Sequence, residues 1–322
     1  MEPISLEDLR AAEQLVRRAM PATPAFAWPL LAERFGLDVV VKHENHTPTG
    51  AFKVRGGLVY MDRLVRERPH VRGIVSATRG NHGQSLAFAA RKAGLEAIIV
   101  VPHGNSVEKN AAMRAFGATL VEHGRDFDEA RDHAVALAKE RGYEFAASFQ
   151  RDLVLGVATY ALELFEAHGD FDTVYAPIGM GSGICGLITV RDLLGLETKL
   201  VGIVAENAPA YALSFDAGKP VNTNSADTLA DGVACRAPDA QAVEIICEGA
   251  ERIVRIEEDE FLDAMAAYFV DTHNAAEGAA GGPLAGLLKE REKMAGKKVG
   301  LIMSGGNSDR EMFRDVLARA IA

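Results

Sequence analysis

The residue whose type and setting most invite chemistry is Lys53, in the run Thr47-Pro-Thr-Gly-Ala-Phe-Lys-Val-Arg-Gly-Gly57. It is a primary amine at the start of a helical pattern, directly after a Pro/Gly-rich turn. An unperturbed lysine, with a pKa of about 10.4, is protonated and non-nucleophilic at neutral pH. Reactivity therefore requires partial burial or a carbonyl partner that captures the amine as a Schiff base. Most lysines are solvated surface charges, so Lys53 gains weight only if other segments supply a ligand site. One such segment is Pro177-Ile-Gly-Met-Gly-Ser-Gly-Ile-Cys-Gly186, where Gly179, Gly181, Gly183 and Gly186 lie between a strand pattern and a helix pattern. Absent side chains let backbone N–H groups converge on a phosphate that the helix dipole also favours, and the Ser182 hydroxyl could join them. The same run matches GxGxxG, with Glu206 twenty residues beyond Gly186. A nicotinamide- or flavin-binding oxidoreductase is therefore the cross-class alternative. Against it, such an enzyme has no use for an early lysine in a Pro/Gly turn and usually opens with its fingerprint strand, whereas these glycines come midway.

Holding these groups takes a scaffold, and short β-branched runs supply it: 39–41, 73–77, 97–101, 119–121, 173–176, 200–204 and 299–303. Helical patterns separate most of them, for example Asn81 to Lys92, Asp126 to Arg141 and Leu153 to His168. Near-continuous apolar strands alternating with amphipathic helices predict an α/β fold with parallel sheets covered on both faces. In such sheets ligands bind at the carboxyl ends of strands. Three segments have that form: Ser76-Ala-Thr-Arg-Gly-Asn-His-Gly-Gln84, the glycine loop, and Ser304-Gly-Gly-Asn307.

The 322 residues, 48% hydrophobic and 25% charged, suffice for one large domain or two moderate ones with real cores. A net charge of −10 without any basic run disfavours nucleic acid and anionic membranes, leaving a small molecule as the expected ligand. Cys185, Cys235 and Cys247 form neither a disulfide framework nor a CxxC metal pattern, which suits a cytoplasmic setting. The N-terminus reads as a capping box, Ser5-Leu-Glu-Asp8, ahead of an amphipathic helix rather than as a signal peptide, and no run approaches membrane-spanning length.

Lys53 in HTPTGAFKVRGG, Asn81 in TRGNHGQS, the loop IGMGSGICG and Ser304 in SGGN occur in the order and rough spacing of the fold-type II pyridoxal-phosphate enzymes. The chain most resembles their serine/threonine dehydratase and serine racemase branch, from about residue 20 to residue 310. The resemblance implies a tryptophan synthase β-like fold with two open parallel-sheet α/β domains and the cofactor in the cleft between them. The large domain is expected at 1–72 and 149–322, with a small domain inserted at 73–148. Lys53 would hold pyridoxal 5'-phosphate as a Schiff base, Phe52 would flank the ring, and Asn81 would bond the ring hydroxyl. Gly179, Met180, Gly181, Ser182 and Gly183 would face the phosphate, Ser304 the pyridine nitrogen, and Glu277 the pyridine side. Thr78, Arg79, Asn81 and His82 would bind substrate, its carboxylate gripped by Thr78, Asn81 and His82 at a helix N-terminus.

These roles imply a lyase that removes the β-hydroxyl of a threonine- or serine-type amino acid, giving a 2-oxo acid and ammonium, with Lys53 moving the Cα proton. A neutral Ser304 cannot hold the pyridine protonated as an aspartate would, which favours rapid elimination. A homodimer is expected from the resemblance. The chain ends soon after the Ser304 motif, leaving no room for the regulatory domain of feedback-controlled biosynthetic threonine dehydratases.

Some positions depart from the family pattern. Racemases of this branch have, where Arg79 stands, a serine that acts as the second base; arginine is always charged and cannot, so serine racemase is the less favoured alternative. Arg79 instead offers a bidentate fork for a second carboxylate, which makes a 3-hydroxyaspartate dehydratase the nearer alternative. An outward Arg79 paired with a surface acid is the competing reading. Relatives that bind a divalent cation use a glutamate, a backbone carbonyl and an aspartate. Glu206 and the Ala210 carbonyl match, but Ala212 stands where the aspartate should be. Waters could complete such a shell, yet a capping or salt-bridged Glu206 is the stronger reading. Asp231 matches a family segment where it orders a turn, His43 and His46 are expected to line the entrance, and Trp28 and Cys185 to pack.

Overall fold

The β-branched runs become strands because their side chains pack on both faces of a pleated sheet. In a computed structural model that describes residues 1–320, the strands are β1 (Ala25–Ala27), β2 (Asp38–His43), β3 (Gly73–Ala77), β4 (Glu96–Val101), β5 (Thr119–Glu122), β6 (Glu144–Phe145), β7 (Thr173–Pro177), β8 (Lys199–Ala205), β9 (Arg252–Ile256) and β10 (Lys298–Met303). They form a six-stranded sheet in the order β1-β2-β10-β7-β8-β9 and a four-stranded sheet in the order β5-β4-β3-β6. Every pairing is parallel except β1 with β2, which is antiparallel. That edge departs from the purely parallel expectation; β1 follows a proline-rich turn and is too short and exposed to show an apolar run. Strands β6 and β9 were also not foreseen. The first has two residues, and the second alternates arginine with apolar residues and is only half-buried.

Helices fill the crossovers where the 3.6-residue pattern places them, at Asn81–Ala93, Phe127–Arg141 and Arg151–His168. The first helix, Leu6–Arg17, has the reciprocal capping box between Ser5 and Asp8 and buries Leu9, Ala12 and Val16. The largest apolar cluster joins both sheets through the Lys53–Glu67, Asn81–Ala93 and Arg151–His168 helices. A second cluster covers the other face of the large sheet, and a third the outer face of the small one. The Lys53–Glu67 helix crosses Arg151–His168 at glycines. A Cβ on Gly56 would lie 2.7 Å from the Leu153 carbonyl oxygen, and one on Gly156 would collide with that of Arg55. This close crossing sets the height of the first turn of the Lys53–Glu67 helix. Loops at the carboxyl ends of β3, β7 and β10 then meet around a single cavity.

Candidate active site

Lys53 opens its helix from a turn that is fastened on both sides. The Thr47 hydroxyl accepts from the Ala51 N–H at 2.9 Å and donates to the Ala51 carbonyl at 2.8 Å. The Phe52 N–H donates to the Ser304 carbonyl at 3.0 Å, and Ala51 bridges Gly305, so the lysine turn is stapled to the loop after β10. The Ser85 hydroxyl donates to the Lys53 carbonyl at 2.6 Å. With its backbone held, the side chain reaches across the cavity; Nζ donates to Ser182 Oγ at 2.9 Å and lies 4.8 Å from the centroid of the Phe52 ring. Burial pushes its pKa down to about 8, against the opposing pull of Glu277. A low-dielectric wall without a close carboxylate disfavours the ammonium form.

The glycine loop follows β7 and enters the Ser182–Leu193 helix through Gly181, whose φ of 97° is left-handed and suits only glycine without strain. A side chain on Gly179 would collide with the Gly232 carbonyl oxygen. Outside the loop, Tyr211 donates to the Met180 carbonyl and Tyr160 to the Gly183 carbonyl, each at 2.9 Å. Those bonds hold the loop from behind, and the amides of the first helical turn, which have no intrahelical acceptor, are left to face an anion. Cys185 is buried behind the loop, where burial pushes its thiol far up, as befits a packing residue.

The facing wall comes from the loops after β3 and β10. Asn81 Nδ2 lies 2.8 and 2.9 Å from the two Glu277 carboxylate oxygens, and Asn307 Nδ2 donates to Asn81 Oδ1 at 2.8 Å. Glu277 is 7% exposed, and burial raises its carboxyl pKa in spite of Asn81. Ser304 is 2% exposed at the same wall. Thr78 Oγ1 accepts from the Gly80 N–H at 3.1 Å, closing the turn into the Asn81–Ala93 helix. His82 is buried, its Nε2 has no hydrogen-bond partner, and burial with the charge of Lys53 pushes its pKa down to about 3. It is a neutral ring at physiological pH.

A cavity of about 570 Å³ unites Lys53, Phe52, Thr78, Arg79, Asn81, His82, the loop Gly179 to Gly183, Glu277 and Ser304. Arg79 is half-exposed on the cavity wall, and its guanidinium is 4.0 Å from Asp231. Glu206 and Ala210 are not on this wall; Glu206 is 3.6 Å from Arg255 Nη1 in an ion pair. Among the described residues no group of three His, Cys, Asp or Glu side chains could hold a metal ion. His43 is buried away from the cavity rather than at its entrance, where Trp28 Nε1 donates to its Nε2 at 2.9 Å. Sequence reasoning missed Lys109 on the cavity wall and Asn307, which holds Asn81 from outside that wall, and treated Asp231 only as a turn residue. Lys109 Nζ donates to Asp231 Oδ2 at 2.6 Å. Asn307 was visible within the Ser304 motif; Lys109, one lysine among many, carried no signal.

The residues fit pyridoxal phosphate. A helix N-terminus lined by small residues is shaped for a phosphate, a proton-poor amine stands beside it, and a flat apolar ring and polar side chains flank the space between. Fold and site thus define a pyridoxal-phosphate enzyme of fold type II. The family described as pyridoxal-phosphate dependent enzyme matches residues 16–305, and the chain belongs to it. The L-threonine ammonia-lyase of Thermotoga maritima is 31% identical over 319 residues, 99% of this chain and 79% of that one. The L-threo-3-hydroxyaspartate ammonia-lyase of Saccharomyces cerevisiae is 28% identical over 97% of this chain and 95% of its own. A crystal structure of a pyridoxal 5'-phosphate-dependent aspartate racemase superposes with a TM-score of 0.90 at 28% identity, covering 96% of this chain and 97% of the other. These likenesses place the chain in the serine/threonine dehydratase and serine racemase branch, and the dinucleotide oxidoreductase reading is set aside.

Proposed function

We propose that the chain is a pyridoxal-phosphate-dependent ammonia-lyase that eliminates the β-hydroxyl of a threonine- or serine-type 3-hydroxy amino acid, releasing a 2-oxo acid and ammonium. The observation that carries this reading is the Lys53 amine, with a pKa pushed down to about 8, standing 2.9 Å from the Ser182 hydroxyl of the glycine loop. Bound in this cavity, the cofactor supplies an aldehyde that takes up an amine and a conjugated ring that spreads negative charge from Cα. Lys53 would hold it through Nζ, Gly179, Met180, Gly181, Ser182 and Gly183 its phosphate, and Phe52 one ring face. Asn81, Glu277 and Ser304 would meet the ring edge, with a neutral hydroxyl rather than a carboxylate at the ring nitrogen.

Lys53 Nζ, unprotonated near neutral pH more readily than an ordinary lysine, is the group that would take the Cα proton. Thr78, Asn81 and His82 sit at or beside the start of the Asn81–Ala93 helix, where N–H groups bind a carboxylate. A neutral His82 would orient the substrate without moving a proton at physiological pH. The small lobe we assign to residues 73–148 and the large lobe to 1–72 and 149–322. The four-stranded sheet, β3 to β6, lies within the first range, and closure of the lobes would exclude water. A cytoplasmic homodimer is part of this proposal and rests on the family resemblance; among the described residues no helix is long and apolar enough to cross a membrane.

Arg79 supports a second reading, a 3-hydroxyaspartate as substrate, because its guanidinium lines the cavity with only one distant acid beside it. It cannot be a racemase base.

Lys53→Ala tests the main reading. It is expected to abolish the visible absorbance of the purified protein and to lower ammonium release from L-threonine or L-serine by at least about a thousandfold. Retention of both colour and turnover would reject the proposal.

A further inference from the structure

We infer that Asp231 is a counter-ion shared by Lys109 and Arg79, and that Lys109, by holding it, keeps the Arg79 guanidinium available for the distal carboxylate of a dicarboxylic 3-hydroxy amino acid. The inference deepens the hydroxyaspartate reading and rests on it. The sharing is unequal. Lys109 Nζ donates to Asp231 Oδ2 at 2.6 Å, whereas Arg79 Nη1 stands 4.0 Å from Oδ1. The first is a charge-assisted hydrogen bond; the second is an ion pair at the limit of contact. The Lys109 side chain is 11% exposed and that of Arg79 47%. Water solvates the arginine far more fully than the lysine, so the lysine has the greater need of the carboxylate. Its stem also runs under the loop that carries Arg79, since a Cβ on Gly80 would lie 3.0 Å from Lys109 Cδ.

The other arginines of the cavity are committed elsewhere. Three line it: Arg79, Arg131 and Arg236. Arg131 is 3.1 Å from Asp132 and 3.5 Å from Asp128, and Arg236 is in close contact with Asp128. Among the described residues Arg79 has no ion pair other than the long one to Asp231. It is the arginine a substrate carboxylate can claim with least to break. Without the Lys109 amine, Asp231 would lose its close partner and draw Arg79 in, which makes Lys109 a positioning residue acting through Asp231.

A double-mutant cycle on the holoenzyme tests this, reading kcat and KM for threo-3-hydroxyaspartate and for L-threonine. Lys109→Met is expected to lower the hydroxyaspartate-to-threonine ratio of kcat/KM by about tenfold, chiefly through the KM for hydroxyaspartate. Asp231→Asn is expected to raise that ratio. In an Arg79→Ala background neither change should move it. A through-space field would act the same with or without Arg79, so equal shifts in both backgrounds overturn the inference, as does an unchanged ratio in both single variants. If Arg79→Ala alone leaves the ratio unmoved, the hydroxyaspartate reading itself fails, and the inference with it. Should Lys109→Met fail to fold, Asp231→Asn with and without Arg79→Ala decides the matter by the same criterion.

Discussion

Lys53 and Arg55 are two cations on the first turn of one helix, and their surroundings are opposite. Two residues are a rotation of about 200° on a helix, so one side chain faces the cavity and the other the interior. Arg55 is fully buried and saturated: its guanidinium bonds Glu44 at 2.7 and 3.0 Å, Glu163 at 2.8 Å, Thr159 at 3.0 Å and Thr23 at 3.2 Å. Lys42 completes the cluster, donating to Glu163 at 2.6 Å, so two acids meet two bases. Burial opposes the Arg55 charge, but Glu44 and Glu163 more than offset it and raise its pKa. Lys53 has a hydroxyl, an aromatic face and no adjacent carboxylate, and its pKa falls. Burial with partners keeps a charge in place and makes it structural; burial without them loosens the proton and makes the amine reactive.

Breaking the paired side should have the largest effect. Arg55→Met leaves Glu44 and Glu163 buried with too little positive charge, and is expected to cost about 3–5 kcal/mol in denaturant unfolding. A loss below about 1 kcal/mol would mean that the cluster is not what anchors the reactive turn.

The unpaired side is sharpened by pH. In the cofactor-free protein, acylation of Lys53 followed by peptide mapping should show a midpoint near 8. Because the folded-state pKa lies below the ordinary value of 10.5, the unfolded chain binds more protons at this site between about 8 and 10.5. Its contribution to stability should therefore rise with pH through that window, and Lys53→Met should remove the rise. A midpoint at the ordinary lysine value would erase the contrast between the two cations.

The smallest effect on stability is expected at a third cation. Arg79 is half-exposed with one distant partner, so Arg79→Ala should alter stability by no more than about 0.5 kcal/mol. It should nonetheless lower the preference for hydroxyaspartate over threonine by about tenfold, in steady-state kinetics. A stability loss as large as that of Arg55→Met would show that Arg79 belongs to the framework instead.

Much of the scaffold was legible from local pattern. Buried parallel strands read as β-branched runs, and β3, β4, β7, β8 and β10 appear within a residue or two of those runs. The edge strand β1, the two-residue β6 and the arginine-interrupted β9 were not, because edge and half-buried strands carry little apolar periodicity. At the site, glycines at a strand–helix junction and a lysine after a Pro/Gly turn announced themselves because their backbone demands are local. His43 misled for the complementary reason: its spacing to His46 is local, but its burial beneath Trp28 is not.

The sequence alone determined which residues have unusual backbone freedom, which runs must be buried, and the order of the motifs along the chain, since each follows from neighbours in the chain. Only the tertiary structure decided what surrounds each charge. Arg55 meets Glu44 and Glu163, Asn81 meets Glu277 and Asn307, and Lys109 takes Asp231 from Arg79, across separations that no local pattern records. Electrostatic character depends on distance and solvation rather than on residue type, so whether a lysine or arginine is framework, reagent or substrate clamp is settled by what the fold brings beside it.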